Sequence, residues 1–143
     1  MAKVYILRGI SGSGKTTYIL NNFPEALVCS ADHFFMKDGQ YVFDQKLLGK
    51  AHQYCFRTFI EAIQSKAPLI CVDNTNTSAW QISPYYIAAE TFGYDVEIIE
   101  LNVDPEVAAK RNLHGATDRI IKGMLFPMKQ ALPKIWKLTK VSQ

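Results

Sequence analysis

Residues Gly9-Ile10-Ser11-Gly12-Ser13-Gly14-Lys15-Thr16 fit the pattern G-x-x-x-x-G-K-[ST]. They follow directly on an apolar run, Lys3 to Arg8, and lead into a helix-compatible stretch, Thr16 to Asn21. No other feature narrows the possible folds as much. Glycines at these spacings let the backbone curl until successive N–H groups face one point, and a helix opening near Lys15 aims its positive dipole end at the same point. The product is a cradle for phosphate. A unit of strand, loop and helix belongs at the carboxyl edge of a parallel sheet, where α/β folds collect their ligands.

The rest of the chain supplies such a sheet. Apolar, β-branched runs at Ala26 to Ser30, Leu69 to Asp73 and Asp95 to Leu101 read as further buried parallel strands. Within Asp44 to Ser65, Leu47, Leu48, Ala51, Cys55, Phe59, Ala62 and Ile63 recur at three-to-four spacing, the periodicity of one amphipathic helix. Ser78 to Thr91 and Pro105 to Asn112 repeat it more briefly, with Pro105 in a first turn, where its missing N–H costs nothing. Another helix starts at Asp118-Arg119. The alternation predicts an α/β fold of the P-loop kinase type: a parallel sheet of four or five strands flanked by helices, with the Asp73 strand beside the P-loop strand. Lys134 to Gln143 is compatible with a loose extension, a strand or a helix.

A length of 143 residues suits a single domain, 1–143, and is short for two. Hydrophobic residues at 48% and charged residues at 20% exclude a fibrous repeat or long disorder. No apolar run reaches the roughly 18 residues of a membrane span. Met1 leads straight into a strand-like run without the organisation of a secretory signal, so no membrane association and a cytoplasmic location are expected. Cys29, Cys55 and Cys71 have neither CxxC nor Cys/His spacing and read as buried free thiols. The net charge of +3 permits a polyanionic partner without requiring one.

Chemistry is expected at the strand ends. Gly9, Ser11, Gly12, Ser13, Gly14, Lys15, Thr16 and Thr17 are the candidate nucleotide contacts: Lys15 reaches the β- and γ-phosphates of ATP, and Thr16 offers its hydroxyl to Mg²⁺. Ile70-Cys71-Val72-Asp73 carries an apolar strand into a carboxylate, as a Walker-B strand does, which makes Asp73 the second candidate metal ligand. Asn74 and Asn76 follow it as candidate substrate contacts, although Asp, Asn and Thr in such a run also build turns and caps. Asp32, after Cys29-Ser30-Ala31, puts a carboxylate at the ligand edge beside the P-loop, where phosphoryl transfer to a hydroxyl needs a group to accept or orient the proton; a loop or capping aspartate is the alternative.

Lys110-Arg111-Asn112-Leu113-His114-Gly115 suits a lid that brings a guanidinium against phosphate oxygens, with Arg111 the first choice and Arg119 the second; a solvated basic helix end would look the same. On the long helix, His52 and Arg57 are candidate substrate contacts, and both could equally lie on the surface. Phe34, Phe35, Tyr41 and Phe43 form either a core cluster or a platform for stacking bases.

In this combination the chain resembles the kinase domain of the P-loop polynucleotide 5′-hydroxyl kinase family and its compact stand-alone relatives. The resemblance runs from about Val4 to Met128. Besides the P-loop it includes Ser30-Ala31-Asp32, Asp38-Gly39-Gln40-Tyr41, Ala51-His52, Asp73-Asn74-Thr75-Asn76 and Lys110-Arg111-Asn112. It implies that Asp32 is the general base for a nucleic-acid 5′-hydroxyl and that Arg111 is a lid arginine on the donor phosphates; no obligate protein partner is inferred. Two positions depart from the family pattern. Phe35 stands where family members carry an arginine for the acceptor's 3′-phosphate, and a further lid arginine is replaced near His114.

Overall fold

A computed structural model describes residues 2–111 and 118–143. Strand β1 (Lys3–Arg8) enters the P-loop and helix α1 (Lys15–Asn22) leaves it. Strand β2 (Leu27–Cys29) is followed by a 3-10 turn (Ala31–Phe35) and a small hairpin, β3 (Met36–Lys37) and β4 (Gln40–Tyr41). A second 3-10 turn (Gln45–Leu47) opens into α2 (Leu48–Gln64). Then come β5 (Leu69–Asp73), α3 (Ala79–Thr91), β6 (Asp95–Asn102), α4 (Pro105–Lys110), α5 (Asp118–Met128) and β7 (Leu138–Ser142).

The sheet has five strands in the order β2-β5-β1-β6-β7, and every pair is parallel. This is the expected α/β architecture, with β5 beside β1. β2 stands one strand further out, because β5 lies between it and β1. The carboxyl-terminal tail, which the sequence leaves open, is a fifth strand pairing Ile98 to Asn102 with Leu138 to Ser142.

Register explains the packing. Val4 pairs with Ile70 and Val96, and Ile6 with Val72 and Ile98. Period two sends these rows to one face, where they meet Cys55, Phe59 and Ile63 of α2 and Ile82 and Tyr85 of α3. On the other face Leu7, Cys71, Ile99 and Leu101 pack with Ile19 of α1. Burial on both faces is what parallel strands require, and each fully buried large aliphatic contributes about 1.5–3 kcal/mol. The P-loop itself is pinned from above, since Ile10 is buried with Ala108 of α4 and Ile121 of α5.

Two local devices shape the segment between β2 and α2. Asp38 and Gly39 have φ of 50° and 78°, the paired left-handed conformation of a tight hairpin turn, and join β3 to β4. The Asp44 carboxylate accepts from Lys46 N at 3.0 Å and caps the second 3-10 turn. The helix expected from Asp44 therefore begins at Leu48. Cys29, Cys55 and Cys71 are buried and free.

Candidate active site

The P-loop glycines carry the geometry the motif implies. Gly12 and Gly14 have φ of 83° and 94°, and a Cβ at Gly12 would collide with the carbonyl oxygen of Ala108. Lys15 opens α1 and folds its ammonium over the loop, donating to Gly9 O at 3.1 Å and Ile10 O at 3.2 Å. Burial lowers its pKa from the ordinary 10.5, against the pull of the Asp73 and Asp32 carboxylates. One residue on, Thr16 Oγ1 donates to Asp73 Oδ2 at 2.7 Å, so the two candidate metal ligands meet across α1 and β5.

These groups border a cavity of about 540 Å³. Ser11, Gly12, Gly14, Lys15, Thr16 and Thr17 form one wall; Asp32, Asp73, Asn74 and Thr75 form another; Arg111 and Gln143 close the side. Gly9 and Ser13, expected at the nucleotide, lie beneath it. Gly9 N donates to Thr75 O at 3.0 Å, and Ser13 is fully buried with its hydroxyl 3.5 Å from Lys15 Nζ. They shape the loop from behind. Arg111 follows α4 and points toward Gly14, whereas Arg119 is exposed on α5 away from the cavity. Asn112 and His114 fall outside the described residues.

Asp32 is held by the turn that carries it. Its N–H donates to Ser30 Oγ at 3.2 Å, and Tyr41 donates its phenol to Asp32 Oδ1 at 3.0 Å. Burial, reinforced by Asp32, raises the Tyr41 pKa, so the phenol stays protonated as the donor. Asn74 touches the cavity, yet its amide is occupied with structure: Oδ1 accepts from Ala31 N at 2.9 Å and Nδ2 contacts Cys55 Sγ at 3.4 Å. Asn76, expected at the acceptor, is instead 3% exposed and donates to Leu7 O at 2.7 Å, bracing β1 from outside the cavity. His52 and Arg57 are exposed on α2 and do not border this cavity. Burial of part of the imidazole lowers the His52 pKa, with Asp32 opposing. Of the aromatic cluster, Phe35 is buried with ring centroids 6.0 Å from Tyr41 and 5.1 Å from Phe43, Phe34 and Tyr41 are half-buried, and Phe43 is exposed. Phe35 is thus a core residue.

Other features of the site lie outside the sequence reading. A second cavity, about 290 Å³, shares Thr16, Asp32 and Asp73 with the first and continues between α1 and the hairpin, past Leu20, His33 and Met36. Arg8, the last residue of β1, and its register partner Glu100 in β6 form a buried ion pair at 3.0 Å. The same guanidinium donates to Asn76 O at 3.0 Å and Thr77 O at 2.7 Å, tying down the loop after Asp73. A charge within each of two apolar strands is the signal that could have found this pair. Gln143 carries no such signal.

A family model described as AAA domain, AAA_33, matches residues 4–119. The chain belongs to this family. Among curated relatives of this AAA domain, NEDD4-binding protein 2 of Homo sapiens is 35% identical over 127 residues, 84% of this chain and 7% of that protein. The chain thus spans less than a tenth of that relative's length. Two solved structures share the fold. A sugar kinase from Janibacter sp. HTCC2649 superposes with a TM-score of 0.62 at 14% identity, over 99% of this chain and 86% of the other. A gluconokinase from Sinorhizobium meliloti 1021 gives 0.62 at 10%, over 98% and 82%. The AAA domain described here therefore has a P-loop kinase fold. Among its described residues, no helix is long and apolar enough to cross a membrane.

Proposed function

We propose that this AAA domain is an ATP-dependent kinase, and that its acceptor is the 5′-hydroxyl of a polynucleotide. One observation carries the reading: the Asp32 carboxylate stands in the wall shared by the phosphate cavity and the second cavity. A hydroxyl in the second cavity and a γ-phosphate in the first would meet at this group.

Each residue then has a task. The backbone N–H groups of Gly12, Gly14, Lys15 and Thr16 and the Lys15 ammonium hold the phosphates of ATP. Thr16 and Asp73 supply two hard oxygens 2.7 Å apart, a donor set that fits Mg²⁺, which usually takes one or two protein oxygens and completes its shell with water and phosphate. Bound there, Mg²⁺ would supply charge neutralisation on the phosphate oxygens. Asp32 takes the hydroxyl proton as the acceptor oxygen bonds to the γ-phosphorus and the bridging oxygen leaves with ADP. Arg111 lies on the donor side, where its guanidinium would meet phosphate oxygens whose charge changes during transfer.

A second reading has its own support. The fold neighbours include a sugar kinase and a gluconokinase, and Phe35 is buried where an acceptor arginine would stand. Radiolabelled ATP offered with 5′-hydroxyl DNA, 5′-hydroxyl RNA, nucleosides and sugars separates the possibilities. Label is expected on the oligonucleotides. Label on nucleosides or sugars alone would replace the polynucleotide with a small acceptor. Bound ATP with no label on any acceptor would make the protein a nucleotide-dependent binding module.

A further inference from the structure

The second cavity has a polar end and an apolar end. At the polar end Thr16, Asp32 and Asp73 face both cavities, and Tyr41 donates to Asp32. Away from that end, Ile19, Leu20 and Val28 line one side and Met36 the other, with Ser30 and His33 as the remaining polar lining residues. Leu20 and Met36 are 65% and 47% exposed. Leu20 lies one turn beyond Thr16 on α1, so the helix that presents the Thr16 hydroxyl also presents this side chain. Met36 opens the hairpin four residues after Asp32.

The chemistry of these walls discriminates between acceptors. A polyol carries hydroxyls on every side, and aliphatic walls would leave them without hydrogen-bond partners at a cost that a matched site avoids. A nucleoside has the opposite layout, with a primary hydroxyl at one end and the flat face of a base at the other. We infer that this cavity seats the 5′-terminal nucleoside of the acceptor, with its hydroxyl at Asp32 and its base against Leu20 and Met36, which makes those two side chains the specificity determinants. The inference rests on the kinase reading above and names the acceptor group that reading requires. A thioether and an isobutyl group make no directional hydrogen bond, so these two side chains hold the base by its face and leave any reading of its edge to His33.

The test uses two acceptors: a 5′-hydroxyl oligothymidylate, and the same oligomer with the base removed from its 5′-terminal residue. The wild-type protein is expected to show a KM for the complete oligomer about tenfold below that for the base-free one, the discrimination an apolar pocket gives. Leu20→Ala and Met36→Ala alter exposed side chains, and melting curves confirm that each variant is folded. Each should raise the KM for the complete oligomer about fivefold and move the base-free value less than about twofold. Equal KM values for the two acceptors in the wild type, or equal losses on both in the variants, overturn the assignment.

Fluorescence anisotropy of the two labelled oligomers without ATP reads the same contrast independently of transfer. A binding contrast without transfer to either oligomer would sink the kinase reading and leave the cavity's assignment standing. Transfer without any contrast would do the reverse, and the absence of both would remove both.

Discussion

The proposed donor and acceptor sides of Asp32 are built by different means. On the donor side six lining residues, Ser11, Gly12, Gly14, Lys15, Thr16 and Thr17, come from one stretch of chain, and the cradle is largely backbone. Its shape depends on glycines in left-handed conformations and on the close approach of Ala108 to Gly12. The acceptor side is assembled from side chains on α1, β2, the 3-10 turn, the hairpin and β5. A backbone cradle is set by conformation and tolerates little change, whereas side-chain walls can be exchanged one at a time. The difference teaches why one fold serves many acceptors: phosphate binding stays constant while the opposite wall varies.

The sharpest way to break this division is Asp32→Asn, because Asp32 belongs to both sides. If it takes the acceptor proton, transfer should fall by about a hundredfold to ten-thousandfold while ATP affinity stays within a few-fold. ATP titration, melting temperature and phosphoryl transfer on one preparation decide it. Near-normal transfer would remove Asp32 from the chemistry and leave two unrelated cavities.

Lys15→Ala probes the donor side alone. Loss of this charge contact should lower transfer by about a hundredfold to a thousandfold. Stability should move differently. Because burial depresses the Lys15 pKa, the charged form costs the folded state. That cost is fully present below the folded-state pKa and is relieved as pH rises toward 10.5, where the unfolded lysine also loses its proton. The variant should therefore melt no lower than the wild type at pH 7, and the comparison should shift in the wild type's favour on the way to pH 10.5. A variant much less stable at pH 7 would show that Lys15 is mainly a structural clasp on Gly9 and Ile10.

A third change tests what the two sides share. Glu100→Gln removes the counter-charge of Arg8, whose guanidinium is 1% exposed and also anchors the loop after Asp73. Leaving one partner of a buried pair uncompensated costs about 3 kcal/mol or more, to be read from urea denaturation. An unchanged midpoint would mean that the floor of the site does not depend on this pair.

How legible each part was follows from how it is encoded. β1, β5 and β6 carry apolar runs buried on both faces, and the P-loop is a contiguous motif, so the donor side and the sheet could be read directly. β7 could not: four of its five residues are exposed, and its strand character comes from pairing with β6. The start of α2 was obscured because Asp44 caps a different turn. Asp38-Gly39 did carry a readable hairpin signal, but its consequence, a hairpin placing Tyr41 on Asp32 and Met36 in the acceptor wall, depends on contacts between segments that no local pattern records. For the same reason Asn76 looked like a ligand residue and is a brace for Leu7.

The smallest expected effect gives the finest test, on the hydroxyl of Tyr41. Its ring is fixed from two directions, edge-on to Phe35 and parallel to Phe43 with centroids 6.3 Å apart. Tyr41→Phe keeps these contacts and deletes only the donor to Asp32 Oδ1. The carboxylate should then adopt its productive orientation less often, and kcat should fall about fivefold, within the range of one net hydrogen bond. The ATP KM should not change, because the phosphate cavity is lined by Asp32 but not by Tyr41. A modest loss of activity alone would also fit a slightly loosened hairpin, so the comparison is repeated in the Asp32→Asn background. If Tyr41 acts through the Asp32 carboxylate, Tyr41→Phe should cost almost nothing further there; if it only stabilises the hairpin, the same fivefold should appear in both backgrounds. Additive losses would assign Tyr41 to packing, and non-additive losses would make it the positioning residue that joins the acceptor wall to the proton acceptor.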